Sequence, residues 1–493
     1  VTSPAPGVAV VSDHVHPTAD DPVVRALSEA VGGPVGDRVR ARAGGAGSWW
    51  TPLRVLLALT AVAFALGLVS KTSCAAGQFA GEGQLARVCS SEVADAYTGT
   101  GLVEAAWPWS AEAATRHPVL EEPALVGLWA YSAARLTHVI AGSPDLDERA
   151  GVAPAVLADD PDVRRERVVF VGVNAIGLAV LALVTTAALS RVHRRRPWDA
   201  AGFALAPVLV LTGIAAWHLI AVCAVALALL AWSRRRPVLA GALVGLGVAA
   251  GVWPVLLLPA FALASLRSRR LRDVVAAVVA AGATWALVNA PALLTGREQW
   301  ERSWAAASGR GPETGTAWTV LDATVGLSDS TVATLSWAFL GLWVAAVVVV
   351  SVLAPAPPRV SQAALLLVAG FVLLRPSFEP HQVLWLLPLA VLARPRWRDL
   401  LVWQGCAVVF AAMHSWWLGG LLAPAGDGQA GFYWLAIGGH VVGTLWLVAV
   451  VVGDVWWPRA DPVAEERAGG PAPPAARAAT AQVTTTRSND VAV

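Results

Sequence analysis

Residues 168–196 read VVFVGVNAIGLAVLALVTTAALSRVHRRR. Residues 168–190 carry no charge, and about 20 apolar residues are enough to cross a bilayer as a helix. The run ends in the basic segment RVHRRR, 191–196. Basic loops are held on the cytoplasmic side of a membrane, so this helix must run inward. That direction fixes the parity of everything around it.

Upstream lie two more apolar stretches, 52–70 and EEPALVGLWAYSAARLTHVIAG at 121–142. If both crossed from a cytoplasmic N-terminus, 168–190 would run outward and carry its arginines outside. Parity is restored if 121–142, which contains Glu122, Arg135 and His138, is an amphipathic helix at the outer interface. Residues 71–167 then form one large first extracytoplasmic loop.

Downstream, RRR at 234–236, RSRRLR at 267–272, RPRWR at 394–398 and Arg459 mark further cytoplasmic turns, as do Arg38, Arg40 and Arg42 upstream. The apolar stretches between them give about twelve crossings with both termini inside. Two pairs, within 199–233 and 237–266, are short for full crossings and read as broken helices. Residues 273–292 lead out into a long external loop that begins NAPALLTGREQWERSW. The expected class is therefore an all-α, polytopic integral membrane protein. Its parts are a tail at 1–48, a membrane domain at 49–457 and a Pro/Ala/Thr-rich disordered tail at 458–493.

Composition agrees. Of 493 residues, 56% are hydrophobic and only 14% charged, against about a quarter charged in soluble proteins; mean hydropathy is +0.59. The N-terminal stretch is too long and polar for a secretory signal. The net charge of +2 carries little information, and nucleic acid is not an expected partner.

The first loop opens with SCAAGQFAGEGQLARVCSSEVADAY, 73–97. Outside the cell, Cys74 and Cys89 are permitted a disulfide. Cys223 and Cys406 sit in apolar runs as core residues, and no spacing resembles a zinc site; no metal site is assigned, and a divalent ion is left open. Glu92 and Asp95 follow, on one face if the segment is helical. The other external turns gather His117, Glu121, Trp217, His218, Trp253, Arg297, Arg302, Arg375, Glu379 and His381. Ionisable groups at helix mouths are functional candidates, though each alone also reads as a solvated loop charge. Most of the 24 tryptophans fit an interfacial belt; some could stack on a sugar.

One chemistry suits this set. A glycosyl acceptor hydroxyl needs a base, which Glu92 supplies with Asp95 as second choice. A lipid-linked donor needs a cationic clamp for its phosphate. Arg375 with His381, and Arg297 or Arg302, supply that clamp. His117, Glu121, Trp217, His218, Trp253 and Glu379 complete the pocket. The many glycines lie scattered in apolar helices as packing residues. No Gly-rich nucleotide loop is present, which agrees with a donor other than a soluble nucleotide sugar.

Several stretches are similar to actinobacterial membrane glycosyltransferases of the GT-C class, specifically glycosyltransferase family 87. They are WWTPLRVLLAL (49–59), CSSEVADAYTGTGL (89–102), VLEEPALVG (119–127), RRRPWDAAGFALAPVLVLTG (194–213), PVLAGALVGLGVAAG (237–251) and, most specific, VLWLLPLAVLARPRWRDLL (383–401). The resemblance covers about 10–460. It implies a polyprenyl-phosphate-mannose-dependent α-mannosyltransferase with its acid in the first external loop and interfacial helices after it. The substrates would be a polyprenyl-phosphate sugar and an envelope glycolipid or glycan acceptor, with no further cofactor.

This chain departs from the family pattern at several polar positions. Cys89-Ser90-Ser91-Glu92 stands for Cys-Tyr-Ser-Asp, and Gly99-Thr100-Gly101 for Gly-Arg-Gly. Ala216-Trp217-His218 replaces Asn-Trp-Asp, Gly251-Val252-Trp253-Pro254 replaces Lys-Leu-Tyr-Pro, and Glu379-Pro380-His381 replaces Ser-Pro-Gln. Either the pocket takes a different substrate, or the fold persists as an inactive envelope-assembly protein. A lipid or solute transporter is the reading from another class; it would need charges along a membrane path or an internal repeat, and neither is clear. The expected place is the plasma membrane, with the active face extracytoplasmic.

Overall fold

The computed structural model describes residues 50–463 except 80, 82, 119, 194, 269, 309–313 and 423–430. The expected tail at 1–48, and 464–493 of the C-terminal tail, lie outside the described residues. Every regular element among the described residues is helical. The helices of eight or more residues are α1 (Pro52–Ser70), α2 (Glu92–Gly99), α3 (Ala124–Ile140), α4 (Pro161–Val192), α5 (Leu219–Ser233), α6 (Pro237–Val248), α7 (Leu257–Ser265), α8 (Leu271–Ser308), α9 (Ala317–Val325), α10 (Asp329–Leu353), α11 (Val360–Leu374), α12 (Trp397–Leu418) and α13 (Gly431–Trp456).

Among the described residues, six helices are long and apolar enough to cross a membrane: those at Pro52–Ala76, Pro161–Val192, Leu271–Ala305, Asp329–Leu353, Trp397–Leu418 and Gly431–Trp456. The chain is a polytopic membrane protein. Five further apolar helices are shorter, at Leu219–Ser233, Pro237–Val248, Trp253–Ser265, Val360–Leu374 and Pro380–Ala393. The short pieces include those within 199–233 and 237–266, the two pairs read from sequence as too short for full crossings. Proline explains the breaks. Pro207, Pro237, Pro254, Pro380 and Pro388 each sit in the first two positions of a helix or 3-10 turn, where proline is tolerated and marks a new start.

The external loop expected after 292 is mostly helix. Helix α8 continues through Pro291 and breaks its regular geometry only at Gly296. Beyond that residue, Arg297–Glu301 and Glu298–Arg302 pair one turn apart, which supports a helix where the composition reads as loop. Gly296 is required by packing: a Cβ there would run into the Trp109 carbonyl oxygen. A second close approach holds α6 on α8, where Cβ atoms at Gly241 and Gly245 would meet the carbonyls of Ala277 and Ala281. Small residues four apart let two apolar helices touch backbone to backbone.

Polar residues in the interior are paired across helices. Thr60 and Thr186 bond at 2.8 Å between α1 and α4. Asn174 Oδ1 accepts from the indoles of Trp129 on α3 and Trp217. Tyr97 of α2 donates to Glu166 of α4 at 2.8 Å, and Arg149 grips the same carboxylate with two nitrogens.

The basic segments gather at one end. Arg234 donates to the Arg191 carbonyl, Arg196 to Pro462, Arg396 to Ala460 and Arg267 to Ala354. Arg359 pairs with Asp461 at 2.8 Å, both buried, and Arg394 bridges Asp399 and Asp454. Residues 458–463, assigned to the tail on composition, are therefore strapped onto the bundle.

Candidate functional site

At the opposite ends of these helices lies a cavity of about 620 Å³. Glu92 enters it from the N-terminus of α2, and the segment before it is tightly held. Cys74 and Cys89 are joined by a disulfide. The Lys71 ammonium donates to the carbonyls of Val88 and Ser90, each at 3.3 Å. The Val93 amide donates to the Ala215 carbonyl, just ahead of Trp217 and His218, which line the same cavity. The acid and the 217–218 turn are thus fixed to each other by backbone.

The facing wall follows α11. Its chain ends at Arg375, an extended C-cap, and continues through buried Ser377 and Phe378. Phe378 stacks on His440 at 4.5 Å, and Pro380 then starts the 3-10 turn that carries His381. Here three side chains meet. His381 Nε2 lies 3.2 Å from Glu92 Oε1 and 3.1 Å from Glu379 Oε2. Burial alone would push the Glu379 carboxyl up, but its hydrogen bond with Glu92 and the neighbouring His381 hold it well below the usual carboxylate range. The His218 ring sits 4.7 Å from His381.

Arg375 supplies a cation on the same wall. Its guanidinium stacks 5.3 Å from the Trp385 ring and 5.5 Å from Phe371, and it donates to Gln382 at 3.2 Å and Ser377 at 3.3 Å. Trp253 stacks on the other side of Trp385, ring centroids 5.8 Å apart. A planar cation layered on aromatics keeps a fixed orientation. On the far side of the cavity α10 contributes Ser336, Trp337 and Leu340. Trp337 is 64% exposed, so the cavity reaches the apolar outer surface of the bundle there.

The sequence candidates divide. Glu92, Glu121, Trp217, His218, Trp253, Arg375, Glu379 and His381 all line the cavity. Asp95 does not: α2 presents Glu92, Ala96 and Thr100 to it, and Asp95 is exposed toward Arg167. His117 is buried against Glu104, its Nε2 3.0 Å from that carboxylate. Arg297 and Arg302 are exposed, outside the lining residues, and paired with Glu301 and Glu298. They are not brought to Arg375. Sequence reasoning missed Trp385, Gln382 and Ser336, while Trp304, one of the external-turn tryptophans open to sugar stacking, does line the cavity. Trp385 follows His381 by one helical turn, and Ser336 is a hydroxyl inside an apolar span; both were legible signals.

No curated protein matches the chain. Residues 161–376 match the family model described as Glycosyltransferase family 87. That stretch carries Trp217, His218, Trp253 and Arg375 but stops short of Glu379 and His381 and does not reach back to Glu92. The match places residues 161–376 in glycosyltransferase family 87, a family of GT-C membrane glycosyltransferases.

Proposed function

We propose that the chain moves a sugar, mannose by family analogy, from a polyprenyl-phosphate donor to an envelope glycolipid or glycan on the extracytoplasmic face. The observation that carries this reading is the convergence of Glu92, Glu379 and His381 in one cavity with an aromatic-stacked Arg375. In the proposed reaction the acceptor hydroxyl gives its proton to the Glu92 carboxylate as its oxygen attacks the anomeric carbon. The bond from that carbon to phosphate oxygen breaks, and polyprenyl phosphate leaves with the extra negative charge beside Arg375. Glu379 and His381 hold the Glu92 oxygens in place. The exposed flank at Trp337 suits entry of a lipid tail.

The same reading assigns the topology. Residues 49–457 form the membrane domain, and 71–167 the first outer loop, with α3 along the outer interface. About twelve crossings result when 201–212 and the short apolar helices each count as one. Under that count the cavity-lining residues at 92, 217–218, 250–253, 304, 333–340 and 371–385 all fall at outer ends. The strapped arginine end becomes cytoplasmic, with both termini. The partners are membrane lipid, the lipid-linked sugar and the acceptor.

The test is a lipid and glycan comparison of a strain lacking the gene. Loss of one mannosylated envelope species, restored by the wild-type chain and not by Glu92→Gln, is the expected result. An unchanged profile would favour the inactive assembly role.

A further inference from the structure

Within the cavity, the trio of Glu92, Glu379 and His381 has ligand atoms that all lie within 4.8 Å of one another. The His381 nitrogen stands 3.2 Å and 3.1 Å from the two carboxylate oxygens. A first-row divalent ion bound at about 2.0–2.2 Å by nitrogen and carboxylate oxygen sets neighbouring ligand atoms roughly 3.0–3.6 Å apart. The two measured edges fall in that range. We propose that Glu92, Glu379 and His381 bind one divalent cation of mixed oxygen and nitrogen preference, such as Mn²⁺ or Zn²⁺, on the wall of the cavity.

Three features support the assignment. The ligand set is one imidazole and two carboxylates, which suits Zn²⁺ and Mn²⁺ better than an all-oxygen ion. It is drawn from two rigidly held segments, the disulfide-anchored start of α2 and the proline-initiated turn after α11. Both carboxyls are only partly buried and line the open cavity, so coordination positions on that side remain open to a small oxygen ligand. Beside the trio, the buried His218 Nε2 has no hydrogen-bond partner among the described residues, which puts a second uncommitted imidazole nitrogen next to His381.

Binding requires the His381 Nε2 lone pair to face the ion, with the ring proton on Nδ1. The inference deepens the sugar-transfer reading: an acceptor hydroxyl entering an open position would be acidified by the ion before its proton passes to a carboxylate. Binding itself is measured without any sugar substrate, so the two can fail separately.

The experiment titrates Mn²⁺ alone into chelator-stripped full-length protein in nanodiscs, read by Mn²⁺ electron paramagnetic resonance, with Zn²⁺ as competitor. One ion per chain is expected. Glu379→Gln and His381→Ala should each weaken binding at least tenfold, while Glu298→Gln, at an exposed distant pair, leaves it unchanged. Melting curves of the stripped variants confirm that they remain folded. No stoichiometric ion in the wild type, or equal affinity in folded Glu379→Gln and His381→Ala proteins, overturns the site. Full sugar transfer by protein that binds no ion would leave the transfer reading standing and remove the cation. Ion binding without transfer would do the reverse.

Discussion

Glu92 and Asp95 stand three residues apart on one short helix, yet only Glu92 faces the cavity. Four residues make nearly one turn, so Ala96 and Thr100 follow Glu92 while Asp95 turns away toward Arg167. The same geometry turns Arg297 and Arg302 outward, each satisfied by a glutamate one turn away. Arg375 is different because Trp385 and Phe371 stack against it. Replacing Arg375 with alanine should raise the apparent KM for the lipid-linked donor tenfold or more, in line with about 1.5–3 kcal/mol for a desolvated charge-assisted contact. Steady-state kinetics against donor concentration checks this, and an unchanged KM removes the clamp. His117 serves a different end. Burial would raise the Glu104 carboxyl, but Arg116 and His117 hold it below the usual range. A depressed folded-state pKa means stability that is present above the ordinary glutamate range and lost as pH falls through the folded value. Glu104→Gln should therefore melt below wild type at pH 7, and the gap should close on acidification. A constant gap across pH would show that the pair contributes no charge-dependent stability.

At the scale of elements, hydropathy and charge made the long helices legible: 168–190 lies inside the single helix α4, Pro161–Val192, whose last turn carries Arg191, the first of the basic residues. The short apolar pieces were partly legible from their prolines. Less visible was α8, whose polar second half reads as loop until its i,i+4 pairs are placed in register. Invisible in sequence was the meeting of Glu92 with His381, since nothing local links positions so far apart. The packing of α6 on α8 depends on two bare Cα positions, Gly241 and Gly245. Gly245→Val would force the helices apart at the Ala281 carbonyl. Overpacking of this kind costs about 1–3 kcal/mol, so the melting temperature in detergent should fall. Because α6 leads directly to the 250–253 wall of the cavity, transfer should fall with it. A Gly245→Val protein with wild-type melting would mean that the helices are not in contact there.

For the whole molecule, arginines knit one end together and acids, histidines and tryptophans line a cavity at the other. That division follows from one physical cost: charges sit at helix ends because the hydrocarbon core excludes them. The family match covers 161–376, a stretch that includes Arg375, while Glu92, the proposed base, lies outside it. The account therefore turns on whether Glu92 takes the acceptor proton. The direct measurement is turnover of a labelled polyprenyl-phosphate mannose by purified protein with envelope lipids as acceptor, for wild type and Glu92→Gln. The account predicts transfer by wild type and a loss of at least ~10²-fold in the variant, with donor binding retained. Equal turnover in the two proteins would contradict it.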